Sequence, residues 1–142
     1  MDDETKKAVV RDRYSEIAAE SSSSCCGGSS CCGGSTAGQI SSELGYTSLD
    51  MEAVPAGANL GLGCGNPTAL GGIKRGETVI DLGSGAGFDC FLAAKRVGAT
   101  GLVIGVDMTP EMVSRARSNA QAGGYSNVDF RLGEIENLPV AN

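Results

Sequence analysis

The 142-residue chain contains no histidine and no tryptophan, and aromatic residues make up only 4% of it. The missing histidine removes the commonest general base and a frequent zinc ligand. Basic residues are outnumbered, 11 Lys and Arg against 17 Asp and Glu, for a formal net charge of −6. The chain therefore lacks the basic face that binding to nucleic-acid phosphates requires. Apolar runs extend over only a handful of residues. The N-terminus, MDDETKK, is polar and acidic where a signal peptide needs a basic start and an apolar stretch. These absences point to a cytoplasmic protein with no membrane and no nucleic-acid partner.

What the chain does have is 41% hydrophobic residues, enough for one modest core, together with 22 glycines and six cysteines. In a reducing compartment thiols or ligands are the expected state of those cysteines, and adjacent cysteines are poorly placed to bridge each other. Four of them, Cys25, Cys26, Cys31 and Cys32, lie in SSSSCCGGSSCCGG, residues 21–34, otherwise only Ser and Gly. That composition makes a slack arm, and the spacing of its cysteine pairs does not match the CxxC pattern of zinc knuckles.

Along the chain, residues 2–20 place Val10, Tyr14, Ile17 and Ala18 at helical spacing behind an acidic first turn, an amphipathic helix that needs a surface to dock on. The stretch STAGQISSELGYTSLDMEAVP lacks sustained periodicity and reads as loop with one short turn of helix. From residue 78 the pattern changes. TVIDLG, GLVIGVD and NVDFRLG are short apolar strands. FDCFLAAKRVG and TPEMVSRARSNAQAGG between them are helices, the second with Thr109 as N-cap and Pro110 at its first position. Alternating strands and helices with right-handed crossovers imply an α/β fold, a Rossmann-like doubly wound parallel sheet in the order 3-2-1. The organisation is a helix over 1–20, a Cys/Gly-rich arm and loop over 21–75, and the α/β unit over 76–142.

Where the first strand turns into the first helix, DLGSGAG supplies Asp81, Gly83, Gly85 and Gly87. Such glycines let backbone turn sharply and approach a ligand with no Cβ in the way. The spacing is GxGxG after an acid, not the GxGxxG of dinucleotide folds. A carboxylate there repels a pyrophosphate but accepts hydrogen bonds from an ammonium group. Asp107, ending the second strand, stands where doubly wound folds put an acid for ribose hydroxyls. Cys90, on the first helix, reads as a buried small apolar side chain.

Through VIDLGSGAGFDC, VIGVDMTPEM and VDFRLGEIENLP the chain resembles the class I methyltransferases that use S-adenosylmethionine, over roughly residues 76–140. The resemblance implies that Asp81, Gly83, Ser84, Gly85 and Gly87 hold the methionine portion and Asp107 the ribose. It also implies that Met108 lies against the adenine and that Glu134 with Ile135 meets its amino edge. A narrower resemblance, carried by VRDRYSEIA, the paired cysteines, VPAGANLGLGCGNPTAL and GETVIDLGSGAGFDCFLAAKRVG, is to the bacterial arsenite methyltransferases. It implies arsenite or its thiol conjugates as substrate, a thiol reductant as partner, and arsenic ligation by Cys64 with Cys31 or Cys32, ahead of Cys25 or Cys26, on the arm.

The chemistry suits those residues, because trivalent arsenic is soft and prefers thiolates. Three thiolates would leave its lone pair free to attack a sulfonium methyl, with no proton to remove and so no need of histidine. The resemblance further implies a sheet here incomplete, three of seven strands, with the first left as an exposed apolar edge. Two other assignments stay open on the same residues: a cytosolic soft-metal thiol-binding protein, and a methyltransferase for a small organic acceptor.

Overall fold

In the computed structural model the structure describes residues 2–20, 37–62 and 71–141. Within them the elements are α1 (Asp3–Glu20), α2 (Ala37–Glu43), α3 (Ser48–Glu52), β1 (Thr78–Leu82), α4 (Phe88–Val97), β2 (Leu102–Asp107), α5 (Pro110–Gly123) and β3 (Val128–Leu132). The three strands form one parallel sheet with β2 in the middle. Thr78 pairs with Leu102 at one end and Leu82 with Val106 at the other, while Val103 to Asp107 pair with Val128 to Leu132. The strands and helices expected from residue 78 onward, and the strand order, are the ones found.

Glycine and proline set the helix boundaries. Pro110 opens α5, and Gly124, at φ 68°, ends it, the left-handed cap that a residue without Cβ adopts freely. Thr109 stands at the N-cap of α5 as expected, but its side chain makes no capping hydrogen bond; its amide donates to Asp107 instead. α4 and α5 share one core cluster with the sheet, in which Phe91, Val97, Val103, Val113, Ala116 and Phe130 are buried. Phe91 meets Phe130 edge-on, ring centroids 5.6 Å apart. Alternation along β1 turns Val79 toward that core and leaves Ile80 and Leu82, 43% and 46% exposed, on the far side. β1 is an edge strand among the described residues, as the family resemblance implied.

Two expectations need correction. The stretch after the arm holds two short helices, α2 and α3, rather than a single turn. α3 starts from a capping box in which the Asp50 amide donates to Thr47 Oγ1 and the Thr47 amide donates back to Asp50 Oδ2. This is a local hydrogen-bond device with no apolar periodicity to announce it. And α1 does not dock through an apolar stripe: Val10 and Tyr14 are 41% and 40% exposed. Its inward positions are Lys7, Arg11, Ser15, Ile17 and Ala18, so two of the four expected apolar positions do face inward, and Lys7, Arg11 and Ser15 meet Glu134, Glu136 and Glu111. The helix is held by charge and hydrogen bonding because the rim beneath it is acidic.

Gly87 has a packing duty. It lies at the N-cap of α4 with φ 97°, and a Cβ there would come within 2.7 Å of Phe130 and 2.8 Å of Phe91. Gly87→Ala is expected to destabilise the chain by about 2 to 4 kcal/mol, from the left-handed backbone and the overpacking together. Urea denaturation measures this, and an unchanged midpoint would contradict the packing described.

Candidate cofactor site

The C-terminal ends of the three strands open into a cavity of about 480 Å³. Its floor is the loop after β1, its sides are the segments following β2 and β3, and its outer wall is α1 with residues 58–62. The loop after β1 is pinned to the neighbouring strand, since the Gly83 and Ser84 amides both donate to the Val106 carbonyl, at 2.8 and 3.1 Å. Gly85, at φ 53°, donates its amide to Asp107 Oδ2 at 2.9 Å, and Asp107 Oδ1 accepts from the Thr109 amide at 2.8 Å. A Cβ on Gly83 or Gly85 would meet nothing, so both glycines present bare backbone to the cavity.

Of the residues marked in the sequence for a cofactor, Gly83, Ser84, Gly85, Asp107, Met108, Glu134 and Ile135 line this cavity. Asp81 and Gly87 do not. Gly87 is occupied with packing. Asp81 Oδ2 accepts a hydrogen bond from the fully buried Cys90 Sγ at 3.1 Å. Burial raises the Asp81 carboxyl above the usual range, opposed by the Cys90 hydrogen bond and helped by the nearby Asp107. The same burial, with Asp81 beside it, pushes the Cys90 thiol well up; the side chain is a small core residue with one polar contact. Cys31, Cys32 and Cys64, like Cys25 and Cys26, lie outside the described residues.

Glu134 is already engaged. Its Oε2 is 2.8 Å from Lys7 Nζ and its Oε1 is 3.4 Å from Arg11 Nη2, and Lys7 also reaches Glu136 at 3.1 Å. Those carboxylates, Glu134 first, hold the Lys7 ammonium charged far above its usual range. Sequence reasoning missed Lys7, and it gave 58–62 to the arm and loop over 21–75 without placing it at the cofactor cavity, where Asn59 Oδ1 accepts from Ser41 Oγ at 2.8 Å and from the Gly61 amide at 3.1 Å. These are tertiary placements with no local signature. It also missed Asp89, two residues past the glycine loop, which lines the cavity and accepts from the buried Tyr46 hydroxyl at 2.7 Å. An acid in the first turn directly after the loop was the available clue.

One observation tests the site for S-adenosylmethionine. Ser84 Oγ is buried with no hydrogen-bond partner among the described residues, although it lines the cavity. Buried polar groups are rarely left so. Bare glycine backbone, an unsatisfied hydroxyl and a fixed carboxylate fit a polar ligand with a flat heterocycle, and Met108 and the buried Met112 supply apolar surface.

Residues 73–142 match the family model described as a methyltransferase domain. Across 149 aligned positions the chain is 53% identical to the arsenite methyltransferase of Halobacterium salinarum, which takes in 99% of this chain and 38% of that protein. It is 46% identical over 82 positions to the arsenite methyltransferase of Aquipseudomonas alcaligenes, covering 54% of this chain and 22% of the relative. The crystal structure of a SAM-dependent methyltransferase from Aquifex aeolicus superposes with a TM-score of 0.51 at 27% identity, over 75% of this chain and 52% of that one. The chain has the fold of the class I methyltransferases, which use S-adenosylmethionine as methyl donor, and its residues 73–142 carry the methyltransferase-domain pattern. It spans about two fifths of the first of these relatives, 38%, and 22% of the second. No helix among the described residues is long and apolar enough to cross a membrane.

Asp89 gives the site a pH signature. Burial raises its carboxyl to about 6 from 3.8, the Tyr46 hydrogen bond opposing and the charge of Asp81 adding. With the folded value above the unfolded one, the stabilisation from the bound proton is full below about 3.8 and is lost as pH rises through about 6. Asp89→Asn, which keeps an acceptor for Tyr46, is expected to flatten the fall in melting temperature between about pH 4 and about pH 7. A variant whose melting temperature follows the parent's across that range would show that Asp89 is not buried as described.

Proposed function

We propose that this chain carries the cofactor-binding part of an arsenite methyltransferase, transferring methyl to trivalent arsenic held by thiolates. The observation that carries the reading is the composition of the cavity wall. Residues 58–62, which line the cavity opposite the glycine loop, lead directly to Cys64, two positions beyond Leu62 in the chain. The elements before and after the cysteine arm also contribute, α1 through Lys7 and Tyr14 and α2 through Ser41. The described segments that flank the cysteine arm, and the one that precedes Cys64, thus all line the cavity, which supports the thiols as the second half of the site. The 53% identity to an arsenite methyltransferase over 99% of this chain supports the same substrate.

S-adenosylmethionine, when bound, supplies a methyl group on a sulfonium that a lone pair can attack. Asp107 would take the ribose hydroxyls on carboxylate oxygens already oriented by the Gly85 and Thr109 amides, and Ser84 Oγ would complete a hydrogen bond it lacks. Gly83 and Gly85 let the ligand approach main chain, and Met108 lies where an adenine face can rest. Glu134 and Ile135 would stand at the adenine edge, with Glu134 steadied by Lys7 and Arg11. Cys64 with Cys31 or Cys32 would hold the arsenic, whose lone pair needs no general base. Orientation in a water-poor cavity is then the main catalytic service. A thiol reductant would recycle the thiols, and the cytoplasm, where thiols stay reduced, is the fitting compartment.

Asp107→Ala is expected to weaken S-adenosylmethionine binding by about 1 to 3 kcal/mol, as for hydrogen bonds to a charged group, while arsenite binding is retained. Unchanged cofactor affinity, measured by calorimetry, would count decisively against this site. On the thiol side, Cys64→Ser is expected to weaken arsenite binding strongly, because a hydroxyl is a harder and far less acidic ligand. Replacing Cys25, Cys26, Cys31 and Cys32 together by Ser is expected to match that loss, and any single arm replacement to do less. A fourfold variant that binds arsenite as tightly as the parent would sink the thiol arm.

A further inference from the structure

The cavity has one carboxylate whose purpose the reading above leaves unexplained. Asp89, in the first turn of α4, lines the cavity beside Phe88. Its Oδ1 accepts from Tyr46 at 2.7 Å and its Oδ2 accepts nothing among the described residues. Tyr46 is itself fixed, 3% exposed, with its ring edge-on to Phe88 at 4.7 Å. The other acids that line the cavity are spoken for. Asp107 receives a backbone amide on each oxygen, and Glu134 receives a cation on each. Glu136, at the rim and mostly exposed, is drawn to Lys7. Asp81, the acid the sequence pattern put forward for an ammonium group, lies off the cavity and is bonded to Cys90.

A half-buried carboxylate beside an aromatic ring, with one oxygen oriented and the other open, is a site for a cationic group that donates hydrogen bonds. We infer that Asp89, positioned by Tyr46, is the anchor for the ammonium of the cofactor's amino-acid end; this rests on the S-adenosylmethionine reading of the cavity. The placement agrees with the rest of the loop. The amides opening α4 are available to the carboxylate on the same ligand carbon, since a helix N-terminus favours negative charge. The ammonium is then left to face the one acid among the described lining residues whose second oxygen accepts nothing from them. Burial already raises the Asp89 carboxyl, so a neighbouring cation favours its charged form. Asp89 on this view discriminates between ligands that carry the ammonium and those that do not, while the adenosine is held by Asp107 and the segment after β3.

The test is equilibrium binding of three ligands to the 142-residue chain: S-adenosylmethionine; decarboxylated S-adenosylmethionine, which keeps the ammonium; and methylthioadenosine, which keeps only the adenosine and thioether. Asp89→Asn preserves shape and the Tyr46 contact, and it is expected to weaken the first two by about tenfold or more, as for loss of a charge-assisted pair, and to leave the third unchanged. Tyr46→Phe, which frees the carboxylate without removing it, is expected to give a smaller loss confined to the same two ligands. Equal affinity of parent and Asp89→Asn for S-adenosylmethionine would overturn the inference, as would an equal loss for all three ligands, which marks a structural role. A parent chain that binds neither S-adenosylmethionine nor methylthioadenosine would instead overturn the cofactor reading itself.

Discussion

The carboxylate of Asp107 ties together two loops that the parallel sheet only brings near each other. It sits at the end of the central strand and accepts the amide of Gly85 from the loop after β1 and the amide of Thr109 from its own loop. A buried amide without a partner costs roughly 1 to 3 kcal/mol, so this one side chain stabilises the paths of both loops. With the Gly83 and Ser84 amides on the Val106 carbonyl, it determines where bare backbone faces the cavity. The glycines make the turn sterically possible, but the hydrogen bonds to β2 make it one particular turn.

The outer side of the cavity is built on a different principle. α1 closes over acidic residues through Lys7, Arg11 and Ser15, with only Ala18 among its inward positions fully buried. Ion pairs that stay partly exposed, as these do, are worth little singly and weaken with salt. The wall over the cavity is therefore less firmly attached than the floor, where buried aliphatic and aromatic side chains do the holding. On the proposed reading, a polar wall over a packed floor suits a site that must admit a methyl donor and release the demethylated product.

How legible each part was follows from the range of the forces that place it. β1 and β2 are short apolar runs and β3 alternates apolar with charged residues, each stopping at or just before a glycine or aspartate, and α4 and α5 end at Gly98 and Gly124; such local patterns survive in the bare sequence. Most of the cavity floor was legible for the same reason, since Gly83, Ser84, Gly85, Asp107 and Met108 belong to two contiguous strand-to-loop segments. Gly87 and Asp81 share the motif, yet one packs on Phe130 and the other on Cys90, because only the folded chain decides which side of the loop each residue faces. Lys7 and Tyr46 come from 127 and 43 positions away from their partners Glu134 and Asp89. Nothing in the spacing of a single sequence encodes such pairs. α1 was recognisable as a helix, but its docking face was not, because the surface it covers is charged.

The central claim is that the strand ends and glycine loop form the seat of S-adenosylmethionine. The most direct measurement is to follow the backbone amides by NMR while S-adenosylmethionine is added. The account expects the largest shifts at residues 83–86 and 107–109, with smaller ones at the start of α4 and at residues 133–135. Shifts concentrated instead on the exposed face of β1, or no shift in the glycine loop at ligand concentrations that change other amides, would contradict it.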